Sequence, residues 1–157
     1  MTGCYRPNHN CIDNCIHTFA GIQLRLLCAE IMEKQGHSEE TGTAKITPAF
    51  NLPSKYIIHT VGPIVQGNLT KEDCQKLKDS YNACLNIAAE NNVESIAFCC
   101  ISTGVFCFPN EAAAEIAVRT VREFMKKNTS VKKVIFNVFK DIDREIYERI
   151  LISKPTA

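Results

Sequence analysis

Apolar residues recur along the chain at two spacings. Ile16, Ala20, Leu24, Leu27 and Ile31 share one face at helical spacing, which predicts a helix over 13–34 with Asp13 as its N-cap and Gly36 as its C-cap residue. Leu77, Tyr81, Cys84, Leu85 and Ala88 form a second stripe. Thr70 opens that helix with Asp73 three residues on, as a capping box requires, and Asn91-Asn92 ends it. Ala112, Ala113, Ile116, Ala117, Val121 and Phe124 form a third, entered at Pro109, a residue suited to a first helical turn. Ile142, Ile146 and Ile150 mark the last, capped by Asp141.

Strands fall between these helices. Residues 44–48 read as a short strand ended by Pro48, and residues 55–62 as a clearer one, rich in β-branched and aromatic side chains. Asn51-Leu52-Pro53-Ser54 turns between the two. Residues 95–101 are nearly all apolar, the pattern of a parallel strand covered by helices on both faces. Residues 133–139 are the last strand. The alternation predicts an α/β fold, and with no repeat, low-complexity segment or linker, 1–157 reads as a single domain.

Composition narrows the function classes. Hydrophobic content is 45%, charged content 22% and net charge +1, with Lys and Arg scattered, so no stripe for nucleic acid is visible. No apolar run reaches membrane length, and no signal-peptide pattern precedes the first loop. The nine cysteines are odd in number. Cys28, Cys74, Cys84, Cys99 and Cys100 stand in apolar patterns as small core residues, which points to a reducing, cytoplasmic setting. His17 and His59 read as packed core histidines, and His37 as a solvated one.

Two stretches carry candidate chemistry. Cys4, His9 and Cys11 lie in a loop punctuated by Gly3 and Pro7. Two thiolates and an imidazole suit zinc, and a trio leaves one tetrahedral position for water or substrate. Their spacing is not that of a paired knuckle, so two buried thiols and a loop histidine remain the alternative. This loop delivers the chain onto a helix N-terminus, where free N–H groups favour anions. The second stretch, Ser102-Thr103-Gly104, joins a strand to a helix as a phosphate cradle does, although such turns also occur with no ligand.

Four segments, in order, resemble the macrodomain family of ADP-ribose-binding α/β modules. They are 11–17 followed by Ala20-Gly21, 56–63, 101–109 and 136–139. Within that family, Gly3-Cys4 through Cys11-Ile12-Asp13-Asn14 resembles a zinc-dependent subgroup. The resemblance implies a three-layer α-β-α fold with a mixed sheet. It implies a hydrolase removing mono-ADP-ribose from modified proteins, with a non-catalytic ADP-ribose-binding module as the alternative. Zn2+ would be held by Cys4, His9 and Cys11. Ile12, Asp13 and Asn14 would line the distal ribose, with Asp13 the candidate catalytic residue. Ser102, Thr103, Gly104, Val105, Phe106, Cys107 and Phe108 would wrap the diphosphate, and Asn137 and Phe139 would lie near the adenosine. The substrate implied is a mono-ADP-ribosylated protein, such as a lipoyl-carrier protein, and the expected state is a monomer.

Two departures stand out. Cys107 occupies a place where relatives tend to have glycine or histidine, and it is the one candidate for a fourth ligand if the zinc is structural. The family also has a strand-bearing segment ahead of the first loop, whereas Met1-Thr2 comes immediately before Gly3, so the expectation is a macrodomain truncated at its N-terminus.

Overall fold

Ile57 and Ile58 are neighbours in one strand and face opposite layers, as the two-residue period of a strand dictates. Ile57 packs with Ala20, Leu24 and Cys28, while Ile58 packs into the larger core with Leu77, Tyr81 and Leu85. The structure is a computed structural model and describes residues 11–127 and 129–153. Its elements run α1 (Ile12–Ala20), α2 (Ile22–Gln35), β1 (Ala44–Pro48), β2 (Tyr56–Thr60), α3 (Lys71–Glu90), β3 (Ser95–Phe98), α4 (Asn110–Met125), β4 (Lys133–Phe136) and α5 (Asp141–Ile152). β1 and β2 pair antiparallel with Ile46 opposite Ile58, and β3 and β4 pair parallel with Phe98 opposite Phe136. Helices α1 and α2 cover one face of β2 and α3 the other, giving the expected three-layer α/β arrangement with both strand senses.

The larger core lies among α3, α4, α5 and the β3–β4 pair. Leu77, Leu85 and Ala117 are fully buried there, and each leucine contributes about 1.5–3 kcal/mol through apolar burial. Polar links fix the helices in place. Asn110 Nδ2 donates to the buried Asp143 Oδ1 at 2.5 Å, joining the start of α4 to α5. Arg122 Nη2 donates to the carbonyls of Ile150 and Leu151 at 3.2 and 3.0 Å, satisfying orphan acceptors at the end of α5. The capping box at Thr70 and Asp73 forms as its spacing predicts.

The expected helix over 13–34 is two helices, bent by 116° at Gly21. Gly21 adopts φ 94°, ψ 178°, which stops helical hydrogen bonding. Asn51 occupies the notch, its N–H donating to the Ala20 carbonyl at 3.3 Å. The apolar spacing runs through the break because α1 and α2 both pack on the β1–β2 layer. The cap of α1 is Cys11 rather than Asp13, with the Cys11 Sγ accepting the Asn14 N–H at 3.3 Å. Asp13 stands in the first turn instead.

Three further expectations change. The strand expected over 95–101 ends at Phe98 and is buried on one face only, since Ser95 and Ala97 are exposed. The bare face continues across the pair to Ile135, which is 43% exposed opposite Ala97. The last strand stops at Phe136, and α5 is capped by Lys140, with Asp141 in its first turn. Among the described residues, no single helix is long and apolar enough to cross a membrane.

Candidate ligand site at the carboxyl ends of the strands

The parallel pairing of β3 and β4 brings their carboxyl ends to one edge. The carboxyl end of β2 joins them, because Gly62 abuts Ser102 so closely that a Cβ on Gly62 would collide with the serine hydroxyl. Open α/β sheets bind ligands at such an edge. Residues 102–108 form a closed loop there. Phe108 N–H donates to the Ser102 carbonyl and Cys107 N–H to the Gly104 carbonyl, both at 3.0 Å. Thr103 Oγ1 donates to the Cys100 carbonyl at 3.2 Å. Val65 N–H donates to the Phe106 carbonyl at 2.9 Å, and the buried Phe108 ring anchors the loop in the core.

Two non-glycine residues of this loop have left-handed backbones, Ser102 with φ 66° and Cys107 with φ 56°. Such conformations cost on the order of 1 kcal/mol or more and persist where the surroundings impose them. Their effect is to turn the backbone so that the N–H groups of Gly104, Val105 and Phe106 take no backbone partner among the described residues. Three consecutive amides without a backbone partner are the kind of donor run that takes an anion. Gly104 and Val105 are exposed, so this stretch faces solvent. Cys107 is exposed too, its Sγ facing the Val105 carbonyl at 3.4 Å.

The start of α1 supplies the second group of expected residues. Asn14 is buried, and its Oδ1 accepts from Arg25 Nη2 at 3.2 Å. Asp13 is half-buried, with Oδ1 3.7 Å from His17 Nε2. Ile12 is half exposed. His17 in turn lies against His59 of β2, ring centroids 6.3 Å apart, so α1 sits over the carboxyl half of that strand. Past β4, Asn137 N–H donates to the Phe98 carbonyl at 2.7 Å, and Phe139 is almost wholly exposed.

The structure therefore gathers Ser102, Thr103, Gly104, Val105, Phe106, Cys107 and Phe108 into one loop. It sets Ile12, Asp13 and Asn14 at one helix start, and leaves Asn137 and Phe139 exposed beyond the neighbouring strand. Of the expected metal donors, Cys11 is placed at the α1 cap, while Cys4 and His9 lie outside the described residues. Sequence reading missed two positioning residues. Arg25 holds the Asn14 amide, and Gly62 lets β2 approach the loop. The only sequence signal for the latter is Gly62-Pro63 interrupting an apolar run.

The sequence pattern of the macro domain matches residues 2–117. A protein-ADP-ribose hydrolase of Treponema medium is 64% identical over 151 residues, covering 96% of this chain and 58% of that protein. A protein of the same name from Staphylococcus aureus strain MSSA476 is 53% identical over 147 residues, covering 93% of this chain and 55% of that protein. The chain thus spans a little over half the length of these curated relatives. Among solved structures, the Oceanobacillus iheyensis macrodomain with ADP superposes with a TM-score of 0.84 at 36% identity, covering 91% of this chain and 75% of that one. The Trypanosoma brucei macrodomain in complex with ADP-ribose gives 0.80 at 30% identity, covering 91% of this chain and 57% of that one.

Proposed function

The chain belongs to the macro domain family, and on that premise we propose that it is a zinc-dependent hydrolase releasing mono-ADP-ribose from modified proteins. The observation that carries this reading is the run of unpaired amides at Gly104, Val105 and Phe106, on the edge where β2, β3 and β4 end. Such a run calls for a polyanion, and a diphosphate supplies one. The names of the relatives and the ADP-ribose bound to the Trypanosoma brucei structure support the same ligand.

In this reading the diphosphate oxygens accept from those amides, with Ser102, Thr103, Cys107 and Phe108 shaping the loop. The exposed Phe139 ring stacks on the adenine, with Asn137 beside it. Ile12, Asp13 and Asn14 face the distal ribose. Asp13 orients a ribose hydroxyl or the attacking water through its carboxylate, and Arg25 keeps Asn14 in place behind it.

Cys4, His9 and Cys11 would hold the zinc. Their chemistry fits, as two thiolates and an imidazole form a borderline-soft donor set. The Cys11 sulfur also sits at the start of α1, where it accepts the Asn14 N–H. When bound, zinc supplies Lewis acidity towards an oxygen at the distal ribose.

The deciding experiment is incubation of a mono-ADP-ribosylated protein with the purified chain, with a lipoyl-carrier protein as the first substrate to try. Calorimetry with free ADP-ribose runs beside it. Release of ADP-ribose that stops on chelation supports the reading. Binding without release would establish the non-catalytic module instead, and neither binding nor release would defeat both.

A further inference from the structure

Three side chains from three elements meet beneath α1: His17 of α1, Cys28 of α2 and His59 of β2. One nitrogen from each imidazole and the Cys28 sulfur all lie within 4.8 Å of one another. His17 and Cys28 are 8% and 5% exposed, so the cluster is closed to bulk water on that side. The bend at Gly21 makes the meeting possible, because a straight helix would carry Cys28 away from His17.

Each histidine is braced on one nitrogen. His17 Nε2 faces the Asp13 carboxylate at 3.7 Å, and His59 Nε2 lies 2.9 Å from Thr47 Oγ1. His17 Nδ1 is buried and has no hydrogen-bond partner among the described residues. A buried polar atom left in that state costs about 1–3 kcal/mol. Metal-bound histidines show this division, one ring nitrogen held by a carboxylate or another polar group and the other given to the ion.

We propose that His17, Cys28 and His59 form a second metal site, separate from the loop that bears Cys4, His9 and Cys11, and that it takes a thiophilic d10 cation, Zn2+ or Cu+. Two imidazoles and a thiolate suit both ions. Ligand atoms about 2.0–2.3 Å from a metal stand roughly 3.5 Å apart, so the cluster needs only small side-chain rotations to close. Charge is balanced as well. Binding releases the thiol proton to solvent, and a thiolate with Cu+ is neutral. With Zn2+ the Asp13 carboxylate beside His17 Nε2 offsets part of the remaining positive charge. The Arg25 guanidinium opposes a cation there, and the Asp13 carboxylate acts on His17 in the opposite sense and more strongly. Bound there, the ion would tie α1, α2 and β2 together behind the ligand edge. The site does not depend on the zinc reading of the loop.

Metal titration of chelator-stripped protein tests this, with Co2+ as the spectroscopic stand-in for Zn2+ and Cu+ in competition with a chromophoric chelator. A Cys4→Ser, Cys11→Ser double variant removes both loop thiols. It should still bind one equivalent of Co2+ or Cu+, and a thiolate-to-metal charge-transfer band should accompany Co2+. Adding Cys28→Ala should abolish that band and weaken binding at least 100-fold. Adding His59→Gln instead should weaken binding at least tenfold and keep the band. Circular dichroism under chelation verifies that each variant folds, and if Cys28→Ala does not, the His59→Gln arm decides. Zero equivalents in the loop-thiol variant would overturn the proposal, as would a thiolate band that survives Cys28→Ala.

Discussion

Gly62 and Ser102 are in such close contact that no side chain fits between them. A Cβ on Gly62 would strike the serine hydroxyl and stand 2.5 Å from Ile101 Cγ2. Ser102 is already held at φ 66°, and its Oγ is buried without a partner among the described residues. Gly62→Ala should therefore push the loop outward, costing about 1–3 kcal/mol by overpacking and weakening ADP-ribose binding. Ser102→Ala should cost little, because it removes an unpaired hydroxyl. The double variant should recover part of the loss. Urea denaturation and calorimetry measure both effects, and an unperturbed Gly62→Ala protein would show that the contact is soft.

Cys107 invites the opposite experiment. Its φ of 56° suits glycine better than any side chain. Cys107→Gly should leave the melting temperature unchanged or slightly higher, and should retain zinc if the proposed loop site holds it. Cys107→Val should lower stability by about 1–2 kcal/mol, since a β-branched residue tolerates this region worst. Metal analysis of both variants is the check. Loss of zinc would make Cys107 a ligand and the loop site a closed, structural one.

The proposed catalytic role of the metal loop predicts a split between affinity and rate. His9→Ala or Cys11→Ser should reduce turnover far more than ADP-ribose affinity, because a group acting on the transition state is felt in kcat. Cys11→Ser still leaves an oxygen able to cap α1, so the fold should hold. Asp13→Ala should cut turnover too, with some loss of binding. Equal falls in affinity and rate would place these residues in ligand binding alone.

Burial lowers the pKa of His59 to about 4, and the neighbouring His17 adds to the effect. The His17 pKa is lowered as well, chiefly by burial, with Asp13 opposing and Arg25 assisting. In the unfolded chain histidine titrates near about 6.5, so between the two values the unfolded state holds the extra proton. Stability from neutral His59 is thus complete above about pH 6.5 and is lost as pH falls towards 4, by at most about 3 kcal/mol. With chelator present to exclude metal, urea midpoints measured from pH 7 to 4 should fall steeply for the native chain and less so for His59→Gln. Parallel curves would show that His59 does not govern the acid limb.

How much of this was legible depended on range along the chain. Thr70 and Asp73 announced their helix because a capping box is local, and Leu77, Tyr81 and Leu85 marked its buried face by spacing alone. Gly21 did not announce the bend, because one glycine inside an apolar stripe is tolerated in many helices. What fixes the break is Asn51, a turn residue far along the sequence. Cys11 lost to Asp13 as the expected cap because sulfur is a poor acceptor by type, and only geometry shows it taking the Asn14 N–H. The run over 95–101 looked doubly buried because apolarity reports burial without saying on how many faces. His17 and Cys28 are buried as their apolar surroundings predict and His59 is half-buried, yet the sequence does not show their convergence, which exists only once α1 and α2 fold over β2.

The hydrogen bond from Asn51 to Ala20 has a consequence for solvent exchange. Its amide belongs to a hairpin turn, where protons usually trade with water quickly, but its acceptor is the last carbonyl of α1. The Asn51 proton can leave only when the contact between the hairpin and the end of α1 opens, so its deuterium uptake reports on α1 as well as on the hairpin. Anything that steadies the first turn of α1, whether ribose or metal, should slow exchange at Asn51 without touching it. A single turn amide thereby becomes a remote gauge of occupancy at the opposite end of the helix.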